Sequence, residues 1–290
     1  MRTRRFAALL LLLLSAACDS EVEPADAARV AADQDELRIV SLAPHLTELV
    51  YSAGAAEFLV GVVEHSDYPA QAQALPRVGD AFAIDFERLA VSAPTVVLAW
   101  EGGNPVSLIE AIRARGYRVE ALATGSLDDV AANLRDIGRL TGTSAQANAA
   151  AAQFENDIAA LALEFTAAPA LRVFFQIAEQ PVYTIGGRHA ISQVLSTCGA
   201  SNVFADLKSL AAVVTDEAVV SADADVMMTT GDVTALARWA RFNGRAQRAN
   251  TLYGISADTI TRDSLRVLDG AREVCHALDD ARRKLRDLPR

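Results

Sequence analysis

The chain has 290 residues, 51% of them hydrophobic and 22% charged, enough apolar material for one large or two medium domains with their own cores. That composition excludes disorder as the dominant state. A formal net charge of -10 argues against a nucleic-acid partner, which calls for a basic surface able to displace counterions from phosphates.

Arg2, Arg4 and Arg5 precede an apolar run from Phe6 to Leu14 and the small residues Ser15-Ala16-Ala17, the layout of an export signal over residues 1–17. The run is shorter than the roughly 20 residues a membrane-spanning helix needs. "LSAAC" resembles the bacterial lipobox, which makes Cys18 a lipidation site, although Ser15 stands where that pattern prefers an aliphatic residue; a plain secretory signal is the alternative. Asp19 resembles a signal for retention at the inner membrane. Residues 18–36 hold seven acids and one arginine with no large aromatic, the composition of a solvated tether. An exported, periplasmic protein follows, held to a membrane through a lipid anchor only.

The folded body begins near Leu37. Apolar strand-like runs at Ile39 to Leu42, Leu59 to Val62, Thr95 to Trp100 and Tyr117 to Leu122 alternate with amphipathic stretches, which predicts an α/β architecture with mainly parallel sheets. From Ser144 to Phe165 the rhythm gives way to one alanine-rich helical segment of about 33 Å, with Thr143 or Ser144 as its cap and Pro169 as its stop. The expected organisation is an N-terminal lobe over 37–142, a spanning helix over 143–168 and a C-terminal lobe over 169–290. A stiff spine of this kind permits only modest lobe movement.

After the spine the pattern begins again. "LRIVSLAP" at Leu37 has an echo in "LRVFFQIA" at Leu171, and "ERLAVSAPTVVL" from Glu87 parallels "EAVVSADADVMM" from Glu217. Each of the second pair reads as a glutamate, a short apolar helix, a turn of small residues and a buried strand, as in two related lobes. Setting Cys18 aside leaves Cys198 and Cys275 as an even pair in an oxidising compartment, where a disulfide is the default and two separate thiols the alternative. Such a bridge would stabilise the fold by about 2–4 kcal/mol.

Motifs of catalysis are absent: no Walker loop, no Gly-x-Ser-x-Gly elbow and no His-Glu-x-x-His occurs, and no Cys/His spacing suits zinc. Neither an enzyme nor a resident metal or cofactor is expected. Of the four histidines, His276 reads as a surface residue on the last helix and His189 as part of a helix start. His45, after the first strand and Pro44, also reads as a helix start, with ligand contact as the alternative. His65 shows no pattern of its own. Tyr68, Trp100 and Tyr183 follow strand runs, and the carboxyl ends of parallel strands line ligand crevices. Each ring could pave a site, with Gly102-Gly103 allowing close approach, or cap the core beneath a loop.

Three segments, "RIVSLAPHLTELVYSAGAAEFLVGVVEHSDYPAQAQALPRVGD", "FERLAVSAPTVVLAWEGGN" and "VLSTCGASNVF", resemble the vitamin B12-binding proteins of bacterial ABC importers, in the helical-backbone class of substrate-binding proteins. The likeness runs from Leu37 to about Ala277. It implies two α/β lobes joined by a spanning helix, a monomer, with cobalamin between the lobes and Tyr68, Trp100 and Tyr183 at or beside the cleft. It implies a disulfide between Cys198 and Cys275, and docking of Glu87 and Glu217 onto arginines of a two-fold permease dimer. Where the family pattern has cleft tryptophans, this chain has Ala81, Ala211 and Thr259. Phe82 partly replaces the first, and Asp258 and Arg262 stand near the third as polar ligand contacts. A roomier cleft keeps haem or a ferric siderophore open as ligands, and an interaction lipoprotein that has lost its ligand is the alternative of another class.

Overall fold

A computed structural model of the chain describes residues 37–287. The export signal, Cys18, Asp19 and the acidic tether lie outside the described residues. Two sheets, one from each half of the chain, form the centres of two α/β lobes.

The first sheet contains β1 (Ile39–Ser41), β2 (Leu59–Val62), β3 (Val96–Glu101) and β4 (Arg118–Ala123) in the order β2-β1-β3-β4, all parallel. Its connections include helices α1 (Pro44–Ser52), α2 (Phe86–Ser92) and α3 (Val106–Ala114). Pro44 opens α1, where its missing N–H costs nothing and its fixed φ suits the first helical turn. Helix α4 (Leu127–Thr141) then begins with a reciprocal capping box between Ser126 and Asp129 and ends on Gly142.

The second sheet contains β5 (Leu171–Glu179), β6 (Val182–Ile185), β7 (Ala200–Asn202), β8 (Ala211–Val213), β9 (Val226–Thr230) and β10 (Leu252–Ile255). Its order is β10-β9-β5-β6-β8, with β7 beside the start of β5. The expectation of mainly parallel pairing holds for β10, β9, β5 and β7, but β6 pairs antiparallel with both β5 and β8. Only Gln180-Pro181 separates β5 from β6, and so short a connection makes a hairpin rather than a crossover. Around this sheet lie α6 (Ala190–Thr197), α7 (Asp216–Ala222), a 3-10 helix (Val233–Arg241), α8 (Arg245–Ala249), α9 (Ala257–Ile260) and α10 (Val267–Arg286).

The internal repeat is present in three dimensions. Helices α2 and α7 have seven residues each, are capped by Asp85 and Thr215, and end on left-handed non-glycine residues, Ala93 at φ 44° and Asp223 at φ 39°. The next strand starts three residues later in both, at Val96 and Val226. Even the splice to the first strand repeats: Arg38 N–H donates to Thr95 Oγ1 at 2.9 Å and Arg172 N–H to Asp225 Oδ2 at 2.8 Å.

Helix α5 (Ser144–Glu164) is the spine, with 21 residues and a length of about 31 Å. Neither expected cap operates. Thr143 makes no capping bond and shares a hydrogen bond with Thr141, while Ser144 Oγ donates to Gly138 O. The helix also stops short of Pro169, its last turn closed by Phe165. It packs along α4 and reaches α6 and α10 of the second lobe. A Cβ on Gly138 would lie 2.4 Å from that of Ala147, so α4 and α5 approach to backbone contact there. Ala147, Ala151, Phe154 and Leu161 join one buried cluster that runs from Ile39 in the first sheet to Val173 and Met228 in the second. One shared core ties the lobes to the spine.

Cys198, at the end of α6, is bonded to Cys275 of α10, as composition and resemblance both suggested. Arg282 reinforces this corner by donating from one Nη to the carbonyls of Cys198 and Gly199.

Candidate functional site

The turn "WEGGN" is built around one ring. Strand β3 ends with Trp100 half-buried, and Gly102 takes φ 83°, which a side chain would strain. The amides of Gly103 and Asn104 both donate to Trp100 O. The indole then lies on its own turn, because a Cβ on Gly103 would sit 1.9–2.2 Å from three of its ring atoms. Indole Nε1 donates to Thr124 Oγ1 at the end of β4, and the Trp100 amide donates to Asn104 Oδ1 at 2.6 Å. Trp100 packs on the shared core and also borders the interlobe cavity.

His45 packs against this ring with centroids 5.1 Å apart and planes at 83°. Burial, assisted by the charge of Arg262, lowers its pKa from 6.5 to about 3, so the imidazole is neutral at ordinary pH. Its Nε2 has no hydrogen-bond partner. The helix-start reading is correct, and the side chain also borders the cleft. His189 is the N-cap of α6, with Nδ1 accepting from Ile191 N–H, and His276 is exposed.

Pro44, His45, His65, Asp67 and Trp100 from the first lobe face Ala257, Asp258, Thr261 and Arg262 from the second across a cavity of about 510 Å³. That volume falls in the range of small-molecule sites. Among the described residues no group of three or more His, Cys, Asp or Glu could hold a metal ion.

Ion pairs join the lobes beside the cavity. Glu48, on α1 and only 2% exposed, accepts from Arg262 Nη1 at 2.9 Å, Arg266 Nη1 at 3.2 Å and Ser264 Oγ. Arg262 also bonds Asp67 at 2.6 Å and Asp258 at 3.0 Å. Burial opposes its charge, yet the carboxylates of Asp67 and Glu48 raise its pKa further, while Arg262 holds the Asp67 carboxyl below its usual value. The reading of Arg262 as a ligand contact is thereby narrowed: it lines the cavity, but its guanidinium serves three carboxylates. Arg266 lies over the Tyr68 ring with its guanidinium carbon 4.3 Å from the centroid.

A second crossing lies at Thr124–Leu127. Gln193 of α6 accepts from Leu127 N–H at 2.7 Å, and Leu210 covers the place a Cβ on Gly125 would take. Asp263 lies beside Thr124 and Gly125 there. Burial and the neighbouring Asp129 raise its pKa from 3.8 to about 6.

The remaining sequence candidates are more dispersed. Tyr68 is exposed on the loop after β2, and Phe82 is 68% exposed on the Asp80–Ala83 loop, where Asp80 Oδ1 accepts from Phe82 and Ala83 N–H. Tyr183 follows the end of β5 as expected, but not in a loop. It lies inside β6 opposite Val213, because the hairpin places it in the sheet. None of these three lines the cavity beside Trp100. Ala211 starts β8 and pairs with Ile185; Thr259, on α9, donates from its hydroxyl to Ser256 O. Glu87 and Glu217 are exposed in the first turns of the equivalent helices α2 and α7. Glu48, Thr124, Asp263 and Arg266 carry no sequence signal that marks them. Asn104 alone could have been suspected, as a polar residue closing a Gly-Gly turn.

Two α/β lobes, a helix that spans both and an open cavity between them define a ligand-binding protein of the substrate-capture type. The family model described as periplasmic binding protein matches residues 39–249, and the chain belongs to that family, which is one of binding proteins rather than enzymes. It is 32% identical over 250 residues to the vitamin B12-binding protein of Vibrio parahaemolyticus, covering 85% of this chain and 91% of that one. To the vitamin B12-binding protein of Pectobacterium carotovorum it is 33% identical over 243 residues, 83% and 88% of the two chains. Among solved structures, the periplasmic vitamin B12 binding protein BtuF of Vibrio cholerae superposes with a TM-score of 0.76 at 32% identity, over 84% of this chain and 97% of that one. The heme-binding protein BhuT, solved with two hemes, shares the fold at TM-score 0.74 and 23% identity, over 84% and 98%. Among the described residues no helix is long and apolar enough to cross a membrane.

Proposed function

We propose that this protein is the substrate-binding component of an ABC importer, which captures cobalamin or a related corrinoid between lobes 37–142 and 169–290, joined by 143–168, and delivers it to a permease. The observation that carries the reading is Trp100, locked in its glycine turn and facing the interlobe cavity, in a chain about a third identical to vitamin B12-binding proteins. The protein acts as a monomer, tethered outside the cytosol by lipidated Cys18. Exposed Glu87 and Glu217, one on each lobe, dock on the two halves of a symmetric permease. Binding uses Tyr68, Phe82, Trp100 and Tyr183 as ring contacts, with Gly102, Gly103 and Asp258 completing the walls.

A haem or ferric siderophore is the second reading, favoured by the small residues Ala81, Ala211 and Thr259. Against it stands Arg262, whose charge is already matched by Glu48, Asp67 and Asp258. A ligand edged with neutral amides, as a corrinoid is, suits such a wall better than one edged with carboxylates. Calorimetric titration of the purified protein with cyanocobalamin, haemin and a ferric siderophore tests this. Saturable heat with cyanocobalamin is expected. Saturation by haemin alone would replace the assignment, and heat from none of the three would leave an interaction lipoprotein.

A further inference from the structure

We infer that Asn104 is a positioning residue for the cleft, a single carboxamide that sets where Trp100 and the Phe82 loop stand. The inference rests on the ligand-binding reading of the cavity. Asn104 is 3% exposed and makes three side-chain hydrogen bonds to three separate segments. Its Oδ1 accepts from Trp100 N–H at 2.6 Å at the end of β3. Its Nδ2 donates to Leu42 O at 3.1 Å, just past β1, and to Ala81 O at 2.7 Å, in the loop that carries Phe82.

The arrangement admits only one orientation of the amide. Turned over, its NH2 would face the Trp100 N–H and its oxygen would face two carbonyls, so all three contacts would become repulsive. No other side chain of similar size reproduces it. Aspartate keeps the acceptor and loses both donors, and serine has only one donor. The neighbouring turn shows what is being held: Trp100 rests on Gly103, is bonded at Nε1 by Thr124 and meets the edge-on ring of His45. Asn104 links this bound ring to the Ala81–Phe82 segment, where an alanine occupies a position the family pattern gives to tryptophan. Rings fixed before the ligand arrives lose little freedom on binding, which is how a support residue raises affinity without touching the ligand.

The test uses the full chain and two readouts. The protein has two tryptophans, and Trp239 is fully buried, so quenching of fluorescence by acrylamide reports on Trp100. Asn104→Ala is expected to increase that quenching and to weaken cyanocobalamin binding about tenfold. Asn104→Asp, which keeps the acceptor for Trp100 but sets an oxygen against the Leu42 and Ala81 carbonyls, is expected to leave quenching near wild type while weakening binding through the Ala81–Phe82 loop; Asn104→Ser, which places no charge there and is expected to increase quenching as alanine does, carries the test if the alanine variant does not fold. In a Trp100→Ala, Phe82→Ala background the Asn104 substitutions are expected to change affinity by less than about twofold, because nothing remains to position. An equal loss in that background, or quenching unchanged in Asn104→Ala, would overturn the inference. Absence of cyanocobalamin binding by the wild type would sink the corrinoid assignment instead, and the quenching result would still decide the role of Asn104 in placing Trp100.

Discussion

The two lobes share a repeat but present different walls to the cleft. The first carries an all-parallel sheet, and its strand ends hold Trp100 rigidly by Gly103, Asn104, Thr124 and His45. The second has an antiparallel hairpin inserted in its sheet, which puts Tyr183 in a strand, and it meets the first lobe through α9 and the segment leading into α10, with Asp258, Arg262 and Arg266. The first lobe thus offers the cavity an aromatic ring, and the second offers a charged segment that lies beyond the repeated unit. The difference teaches that the cavity is bordered by a packed ring on one side and by ion pairs across the lobes on the other.

The largest effect should come from breaking the charged side. Glu48→Ala leaves Arg262 and Arg266 without their buried carboxylate and is expected to cost about 3–5 kcal/mol in denaturant unfolding. A loss below about 1 kcal/mol would mean that the lobes are held by the shared core alone. Next, reduction of Cys198–Cys275 or replacement of both by serine should cost about 2–4 kcal/mol without moving Trp100 emission, since the bridge lies within the second lobe. A change in emission would break the separation between the walls.

The pH dependence gives a third, intermediate effect. Asp263 has its folded pKa raised from 3.8 to about 6, so its contribution to stability is full below pH 3.8 and is lost as pH rises through 6. Asp263→Asn should therefore be more stable than wild type at pH 7.5, by about 1–3 kcal/mol, with the gap closing towards pH 4. Wild-type and variant unfolding curves that stay parallel across this window would show that the interlobe carboxyl is solvated. His45 acts in the opposite sense: its lowered pKa stabilises the fold above pH 6.5, and this is lost as pH falls towards 3.

A smaller change is expected for Arg266→Met, which keeps the stem over Tyr68 and removes the charge. It should weaken cyanocobalamin binding less than Trp100→Ala does, and the reverse order in calorimetry would make the charged wall the dominant one. Smallest of all, Glu87→Ala or Glu217→Ala should leave ligand affinity unchanged and lower transport in a reconstituted importer. A drop in affinity would place these residues in the cleft.

Much of the scaffold was legible locally. β3, the spine and the paired αβ units show in the sequence because periodicity and composition act over a few residues, and the paired cysteines because export and an even count leave few options. Neither Thr143 nor Ser144 caps the spine, since Thr141 offers Thr143 a partner and Gly138 O takes the Ser144 hydroxyl. That Tyr183 lies in a strand of its own is not legible, because nothing in "EQPVYTI" reveals that the chain turns back within two residues. The ion pair of Arg262 with Glu48 is not legible either, because the two are more than two hundred residues apart.

The amino-acid sequence by itself determined the elements, their alternation, the repeated lobe and the presence of an aromatic at a glycine turn, all of them consequences of short-range sterics and burial. Only the tertiary structure decided that the Trp100 ring lies on Gly103, that Asn104 joins two strand ends to the Phe82 loop and that Arg262 pairs with Glu48 across the cleft. Those facts depend on which distant groups must satisfy one another once water is removed, and desolvation of that kind leaves no trace in local pattern.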